Sequence, residues 1–146
     1  MTALETLIKL IKTYEGCKLQ AYWDDSGDCW TIGWGCTGEH INEDSEWTQE
    51  EADREMARRA GSALGAALKA SPVLASESAG RQAAIADLIY NLGLYGYIGH
   101  SVKPYIDKKE WGLAAEEILL FCHSGGVVLQ GLKDRRKSES NLILGG

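Results

Sequence analysis

The chain has 146 residues, of which 45% are hydrophobic and 25% charged, with a formal net charge of −6. That length suits one compact unit or two small lobes sharing a core, and the composition excludes a disordered chain. The acidic balance argues against a nucleic-acid binder, and no uncharged apolar run reaches the roughly eighteen residues a membrane span needs.

The elements follow in chain order. Leu4, Leu7, Ile8, Ile11 and Tyr14 recur at helical spacing, with Thr2 and Glu5 as a capping box and Gly16 as the closing glycine. Glu15 is then the last residue of that helix. From Cys17 to Cys36 the character turns to Trp, Tyr, Thr, Ile and Gly. Short strands at Leu19–Trp23 and Trp30–Gly35 are expected around an Asp24-Asp25-Ser26-Gly27-Asp28 turn. The polar, acidic stretch Thr37–Trp47 reads as loop. Thr48 and Glu51 open a second capping box and a long helix to about Leu68, stopped at Ser71-Pro72. Everything after that reads as helical. Gln82–Leu92 carries Ile85, Leu88, Ile89 and Leu92 on one face, Gly93–Gly99 reads as loop, and helices follow at Ser101–Ile106, Trp111–Cys122 and Gln130–Leu144. The expected architecture is α+β but mainly α. A small mixed lobe (15–47) is joined by a long helix (48–70) to a helical lobe (71–146), on which helix 2–15 packs. A cleft between two such lobes suits a polymer substrate.

Cys17, Cys29, Cys36 and Cys122 contain no CxxC pair, and His40, His100 and His123 complete no zinc pattern. Free thiols are expected, with Cys29 and Cys36 placed to face each other if the intervening segment is a hairpin. No metal or cofactor is expected, nor an export signal in the first residues. A monomer is the default expectation, since no long exposed apolar helix face is evident.

Hydrolysis of a glycosidic bond uses two carboxyl groups with different roles. Glu15 suits the acid, because the carbonyls at a helix C-terminus carry partial negative charge that favours a neutral carboxyl. Asp24 suits the ionised partner, lying in a turn whose backbone amides can hydrogen-bond a carboxylate, and Thr31 on the next strand is placed to hold a water. Two carboxyls at this spacing occur by chance in most chains, so spacing alone does not separate catalysis from a solvated surface.

Four segments add a resemblance. Glu15-Gly16-Cys17-Lys18-Leu19-Gln20-Ala21-Tyr22-Trp23-Asp24 resembles the E-G-x-x-L-x-A-Y-x-D segment of phage-type lysozymes, glycoside hydrolase family 24. Thr31-Ile32-Gly33-Trp34-Gly35 is similar to their T-I-G-x-G strand, Tyr90-Asn91-Leu92-Gly93 to F-N-x-G, and Gly131-Leu132 with Arg135, Arg136 and Glu139 to G-L-x-x-R-R-x-x-E. The resemblance implies a lysozyme-like two-lobe fold and an endolysin that cuts the β-1,4 bond between N-acetylmuramic acid and N-acetylglucosamine with inversion. Glu15 would be the catalytic acid, Asp24 the carboxylate that positions or activates water, and Thr31 the residue completing the site. Asn91 would bind substrate; Trp34, also a candidate substrate contact, reads equally as core packing. The implied partner is the peptidoglycan glycan strand, with no nucleic acid or membrane. The implied location is the host cytoplasm until a separate holin permits action on the wall in the periplasm. A lytic transglycosylase and an inactive wall-binding relic are the alternatives.

Two departures stand out. Asp28, Cys29 and Trp30 separate Gly27 from Thr31, one residue more than usual, which leaves Asp25 as a rival to Asp24 if the register slips. Cys36 stands where the family commonly has His, and a thiol there is a candidate for redox sensitivity. Arg135 and Arg136 read either as partners of a catalytic carboxylate or as a solvated basic face with Lys133 and Lys137.

Overall fold

The computed structural model describes residues 1–121, 123–124 and 127–146, with the backbone alone at 123–124 and 127–128. Both expected N-caps form. Helix α1 (Ala3–Tyr14) starts at Thr2, whose hydroxyl oxygen accepts the Glu5 N–H at 3.1 Å. Helix α2 (Gln49–Ala70) starts in the same way at Thr48, which accepts the Glu51 N–H at 3.1 Å. Each bond satisfies an amide that the first helical turn leaves unpaired.

Strands β1 (Lys18–Asp24) and β2 (Cys29–Gly33) form an antiparallel hairpin in which Tyr22 pairs with Thr31 and Asp24 with Cys29. That register leaves residues 25–28 as the turn. The additional residue is absorbed there, with Asp28 in the left-handed region (φ 53°), which Asp tolerates better than most side chains. A separate irregularity lies between Lys18 and Tyr22. Strand β2 stops earlier than expected because Ile32 and Cys36 exchange backbone hydrogen bonds of 2.9 and 2.8 Å, closing a tight turn. Gly33 (φ +63°) and Gly35 (φ +81°) supply the positive dihedrals inside it.

The core is built around α3 (Ala79–Leu92). Every residue from Ala83 to Ile89 is buried, because α1, α2 and α7 (Gln130–Gly145) all pack against this helix. An enclosed helix is apolar around its whole circumference rather than along one stripe. Here the exception in the buried run is Asp87, with no exposed surface. Leu7 and Ile11, Met56 and Ala60, Ile85 and Leu88, and Ile143 meet in this core.

The segment expected as a loop at 93–99 contains a short helix, α4 (Leu94–Ile98). Gly93 (φ +85°) reverses the chain after α3, and Tyr97 then buries its ring and hydrogen-bonds Ser71 at 2.7 Å. Helices α5 (Val102–Asp107) and α6 (Trp111–Ile118) follow. The latter ends at Ile118, capped at Leu119, short of the expected Cys122, which itself lies outside the described residues. The region read as wholly helical also contains a small antiparallel pair, β3 (His123–Ser124) with β4 (Val127–Val128). Pro72–Ser76 forms a turn of 3-10 helix after α2. The chain is therefore mainly helical with a small antiparallel hairpin near its N-terminus.

Candidate active site

Glu15 is the C-cap of α1. Its backbone has left the helix (φ −97°, ψ 122°) while its N–H still donates to Ile11. The side chain thus leaves the helix at its carbonyl end, where α1 meets the hairpin. Gly35 in the tight turn after β2 lies directly against it: a β-carbon built there would sit 2.5 Å from Glu15 Oε1. Only a glycine leaves room for the carboxyl at this place.

A cleft of about 440 Å³ opens in front of Glu15, lined among others by Tyr22, Asp24, Thr31, Tyr90 and Asn91. Glu15, Asp24 and Thr31, which lie on three consecutive elements of the chain, therefore share one cavity. On one side the cleft continues, through Asp24, Gly27, Asn91 and Leu92, into a groove of about 380 Å³ past Leu129 and Leu132. On the other it continues, through Gly35, Thr37 and Tyr90, into a groove of about 310 Å³ along α2 past Arg59 and Ser62. The result is a trench with the two carboxyls near its middle. A larger cavity, about 490 Å³ between α1 and α7, offers no carboxyl group.

Asp24 Oδ1 accepts the Ser26 N–H at 3.0 Å, fixing its carboxylate in the turn. Asp25 is exposed and is not among the cleft-lining residues, so the hairpin register brings Asp24 rather than Asp25 to the cavity. Thr31 is almost fully buried, its hydroxyl 3.8 Å from Cys29 Sγ. Asn91 lines the cleft where it passes into the Leu129 groove, and its Oδ1 is buried without a hydrogen-bond partner among the described residues.

Trp34 takes the core alternative rather than the substrate contact. It does not line the cleft: its indole Nε1 donates to Asp53 Oδ1 at 2.8 Å and the ring packs against the core. The side chain points away because the turn at Gly33 and Gly35 presents only the Trp34 carbonyl toward α3. There the Tyr90 hydroxyl donates to it at 2.7 Å, tying the turn to the core helix. The hydrogen bond from Trp34, with another from Gln49, holds the Asp53 carboxyl below the usual range.

Cys36 is 1% exposed, and burial pushes its thiol up, so it is neither accessible nor ionised in the way a redox-sensing thiol requires. Cys17, Cys29 and Cys36 are all free thiols, so the pairing considered for Cys29 with Cys36 does not form.

Arg135 and Arg136 are not on a solvated face; they are 2% and 0% exposed. Arg135 Nη1 donates to Glu15 Oε2 at 2.8 Å, and its Nε and Nη2 donate to Asp87 at 2.9 and 2.8 Å. Burial alone disfavours the guanidinium charge; the bonds to Asp87 and Glu15 outweigh this and raise the pKa of Arg135. Arg136 pairs instead with Glu139, Nη2 to Oε2 at 2.9 Å. A sequence signal for this burial existed. Residues 135, 136, 139, 140 and 143 occupy one face of α7 at core spacing, and charged groups there survive burial only if they neutralise one another. Tyr22, Cys29, Gly35 and Tyr90 are further cleft residues that pattern reading had not assigned.

Relatives share both sequence and fold. The chain is 30% identical over 140 residues to the endolysin of Bacillus phage PZA, covering 95% of this chain and 54% of that protein. It is 31% identical over 145 residues to the endolysin of Lactococcus phage c2, covering 93% of this chain and 57% of that protein. The chain thus spans about half the length of the curated relatives it matches. The endolysin from Escherichia coli O157:H7 phage FAHEc1 superposes with a TM-score of 0.82 at 23% identity, covering 99% of this chain and 94% of that one, so the fold is lysozyme-like. The phage lysozyme family model matches residues 12–139, a span that takes in Glu15, Asp24, Thr31 and Arg135, and the chain belongs to the phage lysozyme family.

Proposed function

We propose that this chain hydrolyses the β-1,4 bond between N-acetylmuramic acid and N-acetylglucosamine in peptidoglycan, acting as an endolysin. The observation that carries the reading is the meeting of Glu15, Asp24 and Thr31 in one cleft, midway along a trench that continues on both sides. A trench open at both ends accepts the interior of a polymer.

Glu15 is the general acid that protonates the leaving oxygen. Asp24, held in its turn by the Ser26 N–H, positions or activates the attacking water, and Thr31 holds that water in the cleft. Family membership favours inversion, and an inverting pair needs roughly 6.5–9.5 Å between carboxyls to admit the water. Asn91 Oδ1, without a partner among the described residues, accepts a hydrogen bond from a sugar hydroxyl or acetamido N–H. Trp34 has no contact to offer the sugar, since its indole is committed to Asp53. The chemistry asks for no metal or cofactor.

In this reading the protein works as a monomer on the glycan strand. It is made in the host cytoplasm, reaches the periplasm when a separate holin opens the membrane, and lyses the host. No described helix is long and apolar enough to cross a membrane. The net charge of −6 gives no general attraction to an acidic wall, so affinity comes from the trench itself.

The test is digestion of purified peptidoglycan by the parent and by Glu15→Gln, with the fragments identified by mass spectrometry. The expected result is reducing N-acetylmuramic acid ends from the parent and a loss of at least about 100-fold in the variant, the scale of a general-acid contribution. Ends of the 1,6-anhydro type would make the protein a lytic transglycosylase, and wall binding without fragments would make it an inactive relic.

A further inference from the structure

Behind Glu15 lies a buried group of charges that a hydrolase of this kind does not need for packing. It contains two guanidiniums, Arg135 and Arg136, and the carboxyls of Asp87 and Glu139, with Glu15 at the cleft end. Asp87 has no exposed surface and sits on the core helix α3, and both its oxygens accept from Arg135. Burial opposes the charge of Asp87, but the Arg135 guanidinium, bonded to both its oxygens, outweighs it and holds this carboxyl below the usual range. Burial, reinforced by the Asp87 charge, pushes Glu139 well up. Apolar side chains of equal volume would pack this region at least as stably, because buried ion pairs are costly to desolvate.

The geometry suggests what the charges accomplish. A guanidinium is a rigid planar fork. Its Nε and Nη2, on one edge, are both occupied by Asp87, so its plane and position are fixed, and the remaining Nη1 points at Glu15 Oε2. We propose that Asp87 is a positioning residue: by clamping Arg135 from behind, it sets the placement of the Glu15 carboxyl and the share of positive charge that Glu15 meets. Asp87 touches no substrate and acts only through Arg135. This rests on the reading of Glu15 as the acid.

Among the described residues, the groups facing Glu15 are Tyr22 from β1, Tyr90 from α3 and Arg135 from α7, with Asp24 and Cys29 on the hairpin lining the same cleft. Those facing Arg135 are Tyr14 and Glu15 at the end of α1, Asp87 on α3, and Glu139 on its own helix. Replacing Asp87 by Asn removes one negative charge from this set while keeping the shape. The guanidinium charge, no longer shared, then faces Glu15 alone and favours its ionised form. An acid that must carry a proton is depleted at lower pH.

The experiment compares parent, Asp87→Asn and the double variant Asp87→Asn/Arg135→Gln. It measures kcat and KM on purified peptidoglycan across pH, thermal unfolding, and the NMR signals of the Arg135 guanidinium. In Asp87→Asn the basic limb of the kcat profile is expected to move about one pH unit toward acid, with kcat at neutral pH down about tenfold and KM little changed. In the double variant, which leaves no uncompensated buried guanidinium, the limb is expected to move back past that of the parent. Restricted rotation of the Arg135 guanidinium in the parent should give way to exchange broadening in Asp87→Asn. A folded Asp87→Asn with the parent's pH profile and Arg135 signals would overturn the proposal. If that variant does not fold, the double variant decides: a basic limb unmoved from the parent's would overturn it. If the parent itself releases no fragments, the muramidase reading fails, whereas the Arg135 signals still decide whether Asp87 clamps the guanidinium.

Discussion

Gly35 tests the site without touching its chemistry. Its φ of +81° lies in the left-handed region, and a β-carbon there would meet Glu15 Oε1 at 2.5 Å and the carboxyl carbon at 2.7 Å. In Gly35→Ala, the left-handed backbone alone costs about 1–2 kcal/mol. Ordinary contact needs 3.4 Å or more, so the Glu15 carboxyl must retreat by about 1 Å or the turn must open. Retreat is opposed by Arg135, already at 2.8 Å from Oε2 and clamped in place. A misplacement of about 1 Å at a reacting group costs on the order of 100-fold in rate. For a chain of this size the backbone cost lowers Tm by about 3–8 °C. The assay is release of soluble fragments from purified peptidoglycan at a temperature well below both transitions, beside a thermal melt. Gly61→Ala is the control, since a β-carbon there meets nothing within 4 Å. Activity of Gly35→Ala within about threefold of the parent, together with the expected fall in Tm, would refute the placement of Glu15 against this turn.

Two further outcomes follow from burial. His100 is 6% exposed, its Nδ1 accepts the Val102 N–H at 3.0 Å, and burial, aided by the nearby Arg136 charge, lowers its pKa from 6.5 to about 4. The unfolded chain therefore binds the extra proton first as pH falls. The stabilisation from His100 is complete above pH 6.5 and is lost as pH drops toward 4. Denaturant titrations at the two ends of that window should differ by up to about 3 kcal/mol from this group, and the difference should shrink in His100→Gln. Equal slopes in the two proteins would contradict the assignment. Cys36, buried with its thiol pushed up, should resist alkylation at pH 8 while the half-buried Cys29 in the cleft is labelled first. Peptide mapping by mass spectrometry checks the order, and early labelling of Cys36 would show that the turn after β2 opens in solution.

The sequence by itself determined most local structure, because local structure rests on neighbours in the chain. Thr2 with Glu5 and Thr48 with Glu51 start α1 and α2 as expected, since a capping hydroxyl needs only an amide three residues on. The hairpin, the helix-end position of Glu15, and the placing of Asp24 and Thr31 on adjacent elements were legible for the same reason. The choice of Asp24 over Asp25 was not, because it depends on a cross-strand register that pairs Asp24 with Cys29. Nor was the helix at Leu94–Ile98, in a segment of three glycines, which is held by burying Tyr97 against a distant Ser71. Trp34 and Arg135 mark the boundary most clearly. An aromatic beside a cleft glycine reads equally as a sugar contact or as core until Asp53, nineteen positions away, takes its N–H. Two arginines among lysines read equally as a solvated face or as partners of a catalytic carboxylate until Asp87, 48 positions away, and Glu15, 120 positions away, are folded against Arg135. Charge compensation in a core depends on which groups share a dry volume. Only the packing of α1, α3 and α7 around that volume decided which groups those are.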